Sequence, residues 1–266
     1  MKIIVVVLLT FVLLSCGNSS VTKVKKIASV NTVSQEITPN PIVSSEKVVS
    51  KNDFEILLVS SYRYWEGENP ANKITKDWFD LCKRGDKYYL GKADFTIEKG
   101  YDECIGESTR IVTSKNKTLL FLEYSDLKLG EVDALKLDKP KIWPKEKITF
   151  QYNNINYSIR AEGDFVSSDK ILSDEGVEIL QDVKNYKLYI STNNDAEILF
   201  LEEESFNDSF VELLFVGDID RDGKLDFIFD ASRDYEEKRV VLYLSSKAKE
   251  GGIIQKVSEI AIQFDC

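Results

Sequence analysis

The chain has 266 residues, with 35 lysines and arginines against 45 aspartates and glutamates, a formal net charge of −10, and no histidine. An acid balance of this kind argues against nucleic acid as a partner, because phosphates are repelled, and points instead to cations or basic partners. The missing histidine excludes Ser-His-Asp and Cys-His catalysis and zinc hydrolysis through imidazole ligands.

Met1-Lys2 opens the chain and is followed by a run from Ile3 to Leu14 that is apolar except for Thr10, then by Ser15-Cys16-Gly17. A run this short spans a bilayer poorly as a permanent helix, so residues 1–15 read as a signal peptide. Leu13-Leu14-Ser15-Cys16 resembles the lipobox of bacterial lipoproteins. That resemblance implies lipidation of Cys16 and anchoring to a membrane surface without a spanning segment. In a Gram-negative host, Gly17 rather than Asp after the cysteine implies the outer membrane. The alternatives are an ordinary secretory leader that keeps Cys16 as a thiol, and a short anchor.

Residues 16–52 are rich in Ser, Thr, Val, Lys and Pro and poor in aromatics, a composition that reads as a tether because it buries too little apolar surface to offset its own entropy. Residues 1–52 carry six lysines and two glutamates, which leaves 29 basic and 43 acidic residues, a net −14, for residues 53–266. About 214 residues with abundant aromatics suffice for one domain, single or bilobed. Cys82, Cys104 and Cys266 lie in this part. An exported chain keeps disulfides, so one bridge is expected; Cys82 with Cys104 closes the shortest loop, but Cys104 with Cys266 is open too, since sequence does not fix connectivity.

In chain order, Phe54 to Ser61 reads as a strand, Tyr62 to Asn72 as a loop, and Lys73 to Cys82 as a short helix, with a strand as the alternative. Strands follow at Tyr88 to Ile97, Arg110 to Thr113 and Thr118 to Tyr124. Residues 125–147 are irregular and read as a boundary. Ile148 to Tyr152 and Ile155 to Arg160 form a hairpin through Asn153-Asn154, residues that tolerate left-handed turns. Lys170 to Val183 is open between strand, loop and helix. A second hairpin joins Tyr186 to Ser191 and Ala196 to Leu201 through Asn193-Asn194-Asp195. Strand patterns close the chain at Phe210 to Val216, Leu225 to Phe229, Arg239 to Leu244 and Ile253 to Ile262. The fold class expected is mainly antiparallel β, or α+β with one short helix. A complete propeller is not expected, because propellers repeat their signature and this chain does not.

The densest chemistry is Gly217-Asp218-Ile219-Asp220-Arg221-Asp222-Gly223-Lys224-Leu225-Asp226. Carboxylates at Asp218, Asp220 and Asp222 occupy positions 1, 3 and 5 of an oxygen cage for a hard cation. Lys224 offers its backbone carbonyl from position 7, Asp226 stands at position 9, and Gly223 permits the bend. It is not an EF-hand, since position 12 is Phe229 rather than Glu and the flanks read as strands. The loop resembles the calcium loops of FG-GAP and related (VCBS-like) β-propeller repeats over Phe210 to Ser232. The resemblance implies calcium between adjacent strands, and its single copy departs from the family. The alternative is a metal-free, Asp-stabilised hairpin turn.

Weaker patterns compete. Arg84-Gly85-Asp86 spells an adhesion tripeptide but suits a tight turn. Glu202-Glu203-Glu204 offers carboxylates for glycoside chemistry but alternates in direction along a strand. Tyr62, Tyr64, Trp65 and Trp78 suit either sugar stacking or core packing. The functional expectation is a membrane-anchored, exported, non-enzymatic lipoprotein of the cell envelope. Its calcium-stabilised domain would meet an envelope protein or glycan; the alternatives are a calcium-dependent adhesin or glycan binder and, further off, a carboxylate-based hydrolase.

Overall fold

The structure, a computed structural model, describes residues 54–64, 68–173, 176–193 and 196–266. The leader, Cys16, the tether to Asn52, Trp65 and the Asn194-Asp195 pair lie outside the described residues. Sixteen strands occupy most of the rest. The first eight are β1 (Glu55–Leu57), β2 (Ser61–Tyr62), β3 (Phe79–Arg84), β4 (Lys87–Lys92), β5 (Phe95–Asp102), β6 (Glu107–Ser114), β7 (Lys117–Glu123) and β8 (Gly130–Ala134). The second eight are β9 (Lys147–Tyr152), β10 (Ile155–Ser173), β11 (Gly176–Thr192), β12 (Ile198–Ser205), β13 (Glu212–Asp218), β14 (Asp226–Asp230), β15 (Glu237–Leu244) and β16 (Gln255–Gln263).

Nine of them form one large sheet in the order β1-β7-β3-β4-β8-β13-β14-β15-β16, in which every neighbouring pair is antiparallel. The sheet curls until β1 and β16 lie close together, giving a nearly closed barrel rather than a propeller. A four-stranded sheet, β12-β11-β10-β9, and a three-stranded sheet, β2-β6-β5, complete the fold. β10 and β11 continue past the pairing of β9 and β12 as a two-stranded ribbon, so the described residues of the segment from Lys170 to Val183, open in the sequence, are strand up to Ser173 and again from Gly176.

Two hydrophobic cores share the same strands. On β14, Ile228 packs with Leu81, Leu120 and Leu242 in the first core, while Phe227 and Phe229 pack with Tyr157, Tyr186 and Leu188 in the second. β15 repeats this division, with Val240, Leu242 and Leu244 on one side and Val241 and Tyr243 on the other. Successive strand side chains point to opposite faces, so a strand buried on both faces reads as a continuous apolar run, as FIF and VVLYL do here. The described residues fall within one compact unit that holds both cores.

Two expectations are corrected. No α-helix forms over Lys73 to Cys82; a 3₁₀ turn at Pro70–Asn72, capped by the Asn69 side chain accepting from Ala71 N at 3.0 Å, leads instead toward β3. Phe79, Asp80, Leu81 and Cys82 are all buried between β4 and β7, and four consecutive buried residues need cover on both faces, which a surface helix lacks. Residues 125–147 hold β8, which joins β4 to β13 and so connects the two halves of the large sheet. Its sequence, GEVDA, has weak strand propensity, and the strand exists because its neighbours pair with it.

Cys104 pairs with Cys266 across a Cα separation of 5.0 Å, tying the β5–β6 turn to the segment after β16. Arg63 supports the same joint, reaching Asp102 at 2.8 Å and Asp265 at 3.1 Å. Cys82 stays a buried thiol, so the shortest loop is not the one closed.

Candidate metal centre

The acidic segment forms the connection between β13 and β14, whose pairing begins at Gly217↔Asp226. Arg221 (φ 63°) and Gly223 (φ 86°) take left-handed backbone that turns the chain over so tight a course. The turn is held by its own carboxylates. Asp218 Oδ1 accepts from Asp222 N at 3.0 Å and Oδ2 from Gly223 N at 2.9 Å, while Asp222 Oδ1 accepts from Lys224 N at 2.8 Å.

Three neighbouring elements hold the loop from outside. From the β9–β10 hairpin, Asn153 donates to Gly223 O at 3.0 Å, Tyr157 Oη accepts from Leu225 N at 3.2 Å, and Tyr152 Oη lies 3.1 Å from Asp133 Oδ2 and 3.4 Å from Asp218 Oδ2. Toward β8, the Arg221 guanidinium donates to Leu129 O at 3.1 Å and Glu131 O at 3.2 Å. From the end of β15, the Ser246 hydroxyl donates to Asp220 Oδ2, and the Ser245 hydroxyl lies within hydrogen-bond reach of both Asp222 and Asp226. The loop therefore sits where the large sheet meets the four-stranded sheet.

Asp218, Asp220 and Asp222 converge. Each offers a carboxylate oxygen, and these atoms lie within 4.8 Å of one another. Oxygens bound about 2.3–2.6 Å from one calcium ion stand at most about twice that distance apart, so the spacing suits a shared ion. Asp220 Oδ1 is shielded from solvent and has no hydrogen-bond partner. An ionised oxygen left so costs free energy that a cation would recover. Burial, and then the charges of Asp222 and Asp220, push the Asp218 carboxyl above its ordinary range; burial and then Asp222 do the same to Asp220. The donor set is oxygen only and fits a hard cation rather than a soft one.

Asp226, expected at position 9, does not join this group. Its fully buried carboxylate accepts from Ile219 N at 2.7 Å and Ser245 N at 2.8 Å, and so braces the loop against β15. Burial holds its carboxyl well above the usual range. Lys224 takes part through its backbone N–H to Asp222.

The rival patterns resolve separately. Gly85-Asp86 is the turn between β3 and β4, with Gly85 at φ 62°. Glu203 is buried in an ion pair with Arg239, and Glu202 pairs with Lys187 at 3.0 Å. Tyr62 and Trp78 are core residues and Tyr64 is exposed, so no shared stacking platform forms from these three. Sequence reasoning missed Tyr152, Tyr157, Ser245 and Ser246 as partners of the loop. The Asn153-Asn154 turn was a visible signal for one of these contacts, and both residues adopt left-handed φ, 46° and 64°. Among the described residues no helix is long and apolar enough to cross a membrane.

Fold and site together define an antiparallel β domain, disulfide-linked, with an aspartate loop that could hold a metal ion. No protein-family model matches the chain, and no curated protein or solved structure matches it.

Proposed function

We propose that this protein is an exported, lipid-anchored envelope protein whose β domain is locked by one calcium ion and acts by binding rather than by catalysis. The observation that carries the calcium reading is the convergence of Asp218, Asp220 and Asp222, together with the shielded and unpartnered Asp220 Oδ1. The position 1-3-5 spacing and the oxygen-only donors favour calcium among hard cations. Outside cells, where calcium is millimolar, even a site with a dissociation constant of roughly 0.1–1 mM fills. The loop's contacts to β8, the β9–β10 hairpin and β15 make the role of the ion structural.

Export is supported by the leader and by the Cys104–Cys266 bridge, which suits an oxidising compartment. Lipidation at Cys16 would attach the protein to the membrane, on the outer membrane of a Gram-negative host, and leave the domain to meet an envelope protein or glycan. A calcium-dependent glycan binder is the second reading, favoured by the exposed rings of Tyr101 and Tyr235.

The test is thermal unfolding of the full chain with calcium and with a chelator. At about tenfold excess over the dissociation constant, calcium should add about 1.4 kcal/mol of stability. Asp220→Asn should abolish that gain. Identical melting curves with and without chelator would overturn the calcium reading. Retention of Cys16→Ser with the membrane fraction would overturn the anchor.

A further inference from the structure

A cleft of about 550 Å³ opens between the end of the β3–β4 hairpin and the segment that follows β8. This volume falls in the range of small-molecule sites. It exists because β8 is short. β8 meets β13 only at Ala134↔Gly217 and Asp133↔Asp218. The chain then holds β13 through Leu135 N to Val216 O at 2.9 Å and Leu213 N to Pro140 O at 2.8 Å, and arches away over residues 136–139 between them.

The floor is made by a β-bulge. The register of β13 on β14 shifts between Leu213 and Phe215. Regular alternation would send Leu214 and Phe215 to opposite faces, yet both pack toward the first core, and Leu214 remains partly exposed in the cleft. Bulges re-aim side chains in this way and concentrate near binding sites. Tyr88 forms a wall, its ring edge-on to Phe215 at 5.0 Å.

The rim carries Lys83, Lys136 and Asp86. Lys83 Nζ stands 5.7 Å from the Tyr88 ring centroid and has no carboxylate partner among the described residues. Lys136 pairs with Asp138 at 3.7 Å, where both side chains are almost fully exposed, 90% and 86%, so the pair is weak and easily exchanged. Of the residues that line the cleft, two carry ammonium groups and one, Asp86, a carboxylate; Asp138 lies outside the lining and meets Lys136 only through the weak exposed pair, so among the described residues Lys83 is the cation left free above the apolar floor.

We propose that this cleft binds a small monoanionic amphiphile, a carboxylate or sulfonate carried on an apolar body. The apolar body covers Leu214, Leu137 and Tyr88, and the anionic head meets Lys83 and Lys136 through charge-assisted hydrogen bonds. A cationic amphiphile meets the wrong charge at the rim. A polyphosphate finds no apolar complement to its own polarity and is repelled by the surrounding acidic surface.

The test is calorimetric titration of octanoate into the full chain held in zwitterionic nanodiscs, with the heat from empty nanodiscs subtracted. Octanamide and octylammonium serve as the neutral and cationic comparisons. Saturable one-to-one binding of octanoate is expected, weaker by about tenfold in Lys83→Glu and in Lys136→Glu, and weaker for octanamide. Both lysines lie at the rim, so these variants keep the fold, which near-ultraviolet circular dichroism checks; Leu214→Asn tests the floor separately. Absence of saturable binding, equal affinity in the charge-reversed variants, or preference for octylammonium would each overturn the proposal. None of these outcomes depends on calcium.

Discussion

The backbone N–H of Ser245 donates to Asp226 Oδ1 at 2.8 Å, joining the end of β15 to the start of β14 at a fully buried carboxylate. The Ser245 hydroxyl, 3.1 Å from the same oxygen, also lies 3.0 Å from Asp222 Oδ2, and its single proton serves one of them at a time. Ser245 thus links the bracing aspartate to the converging ones. We predict that Ser245→Ala lowers stability by about 1–2 kcal/mol, because a buried carboxyl oxygen loses a donor while two backbone donors remain. Urea unfolding in chelator checks this, and an unchanged midpoint would refute it.

The two cores meet on β14. Phe229→Ala should cost about 3–5 kcal/mol, since the ring is fully buried and packs against both Phe200 and Tyr243. Ile228→Val, one residue away but in the other core, should cost only about 0.5–1.5 kcal/mol. Denaturant titration of both variants tests the ranking, and the reverse order would count against the assigned faces.

The Cys104–Cys266 bridge closes a span of 162 residues. Replacing both cysteines by serine is expected to cost about 2–5 kcal/mol, with Arg63 retaining part of the joint through Asp102 and Asp265. In the folded protein Cys82, fully buried, should resist a thiol reagent until unfolding. Rapid labelling of Cys82 under native conditions would contradict its place in β3.

Glu237 supplies a pH dependence away from the aspartate loop. Burial pushes its carboxyl upward, but the Arg233 guanidinium at 2.5 Å and the Arg233 backbone N–H at 2.9 Å outweigh burial and hold it below the ordinary glutamate range. A depressed carboxyl contributes stability in full above its unfolded pKa of about 4.3 and loses it as pH falls through the folded value. Glu237→Gln should therefore flatten part of the acid limb of the stability curve while lowering stability near neutrality. Equal acid slopes for variant and parent, measured by urea unfolding, would exclude this contribution.

Much of the strand pattern was visible in the chain. Alternation and turn residues marked the hairpins at Asn153-Asn154 and around the aspartate loop, because side-chain period and left-handed turn chemistry are local properties. β8 lies in a stretch that reads as irregular, and β3 in one that stays open between helix and strand, for the opposite reason. GEVDA is strand because β4 and β13 flank it, and the apolar residues from Trp78 to Leu81 sit at spacings that helix and strand share when both faces are buried.

The sequence by itself determined the spacing of Asp218, Asp220 and Asp222, since alternate positions of a tight turn carry the oxygens a hard cation requires. It also determined the mainly antiparallel class, through repeated short apolar runs broken by turn residues. Only the tertiary structure decided that Asp226 braces rather than joins the cluster, that Cys104 takes Cys266, and that Leu214 floors a cleft. Each of these depends on strand register between residues far apart in the chain, and register is settled by the packing of whole sheets rather than by local preference.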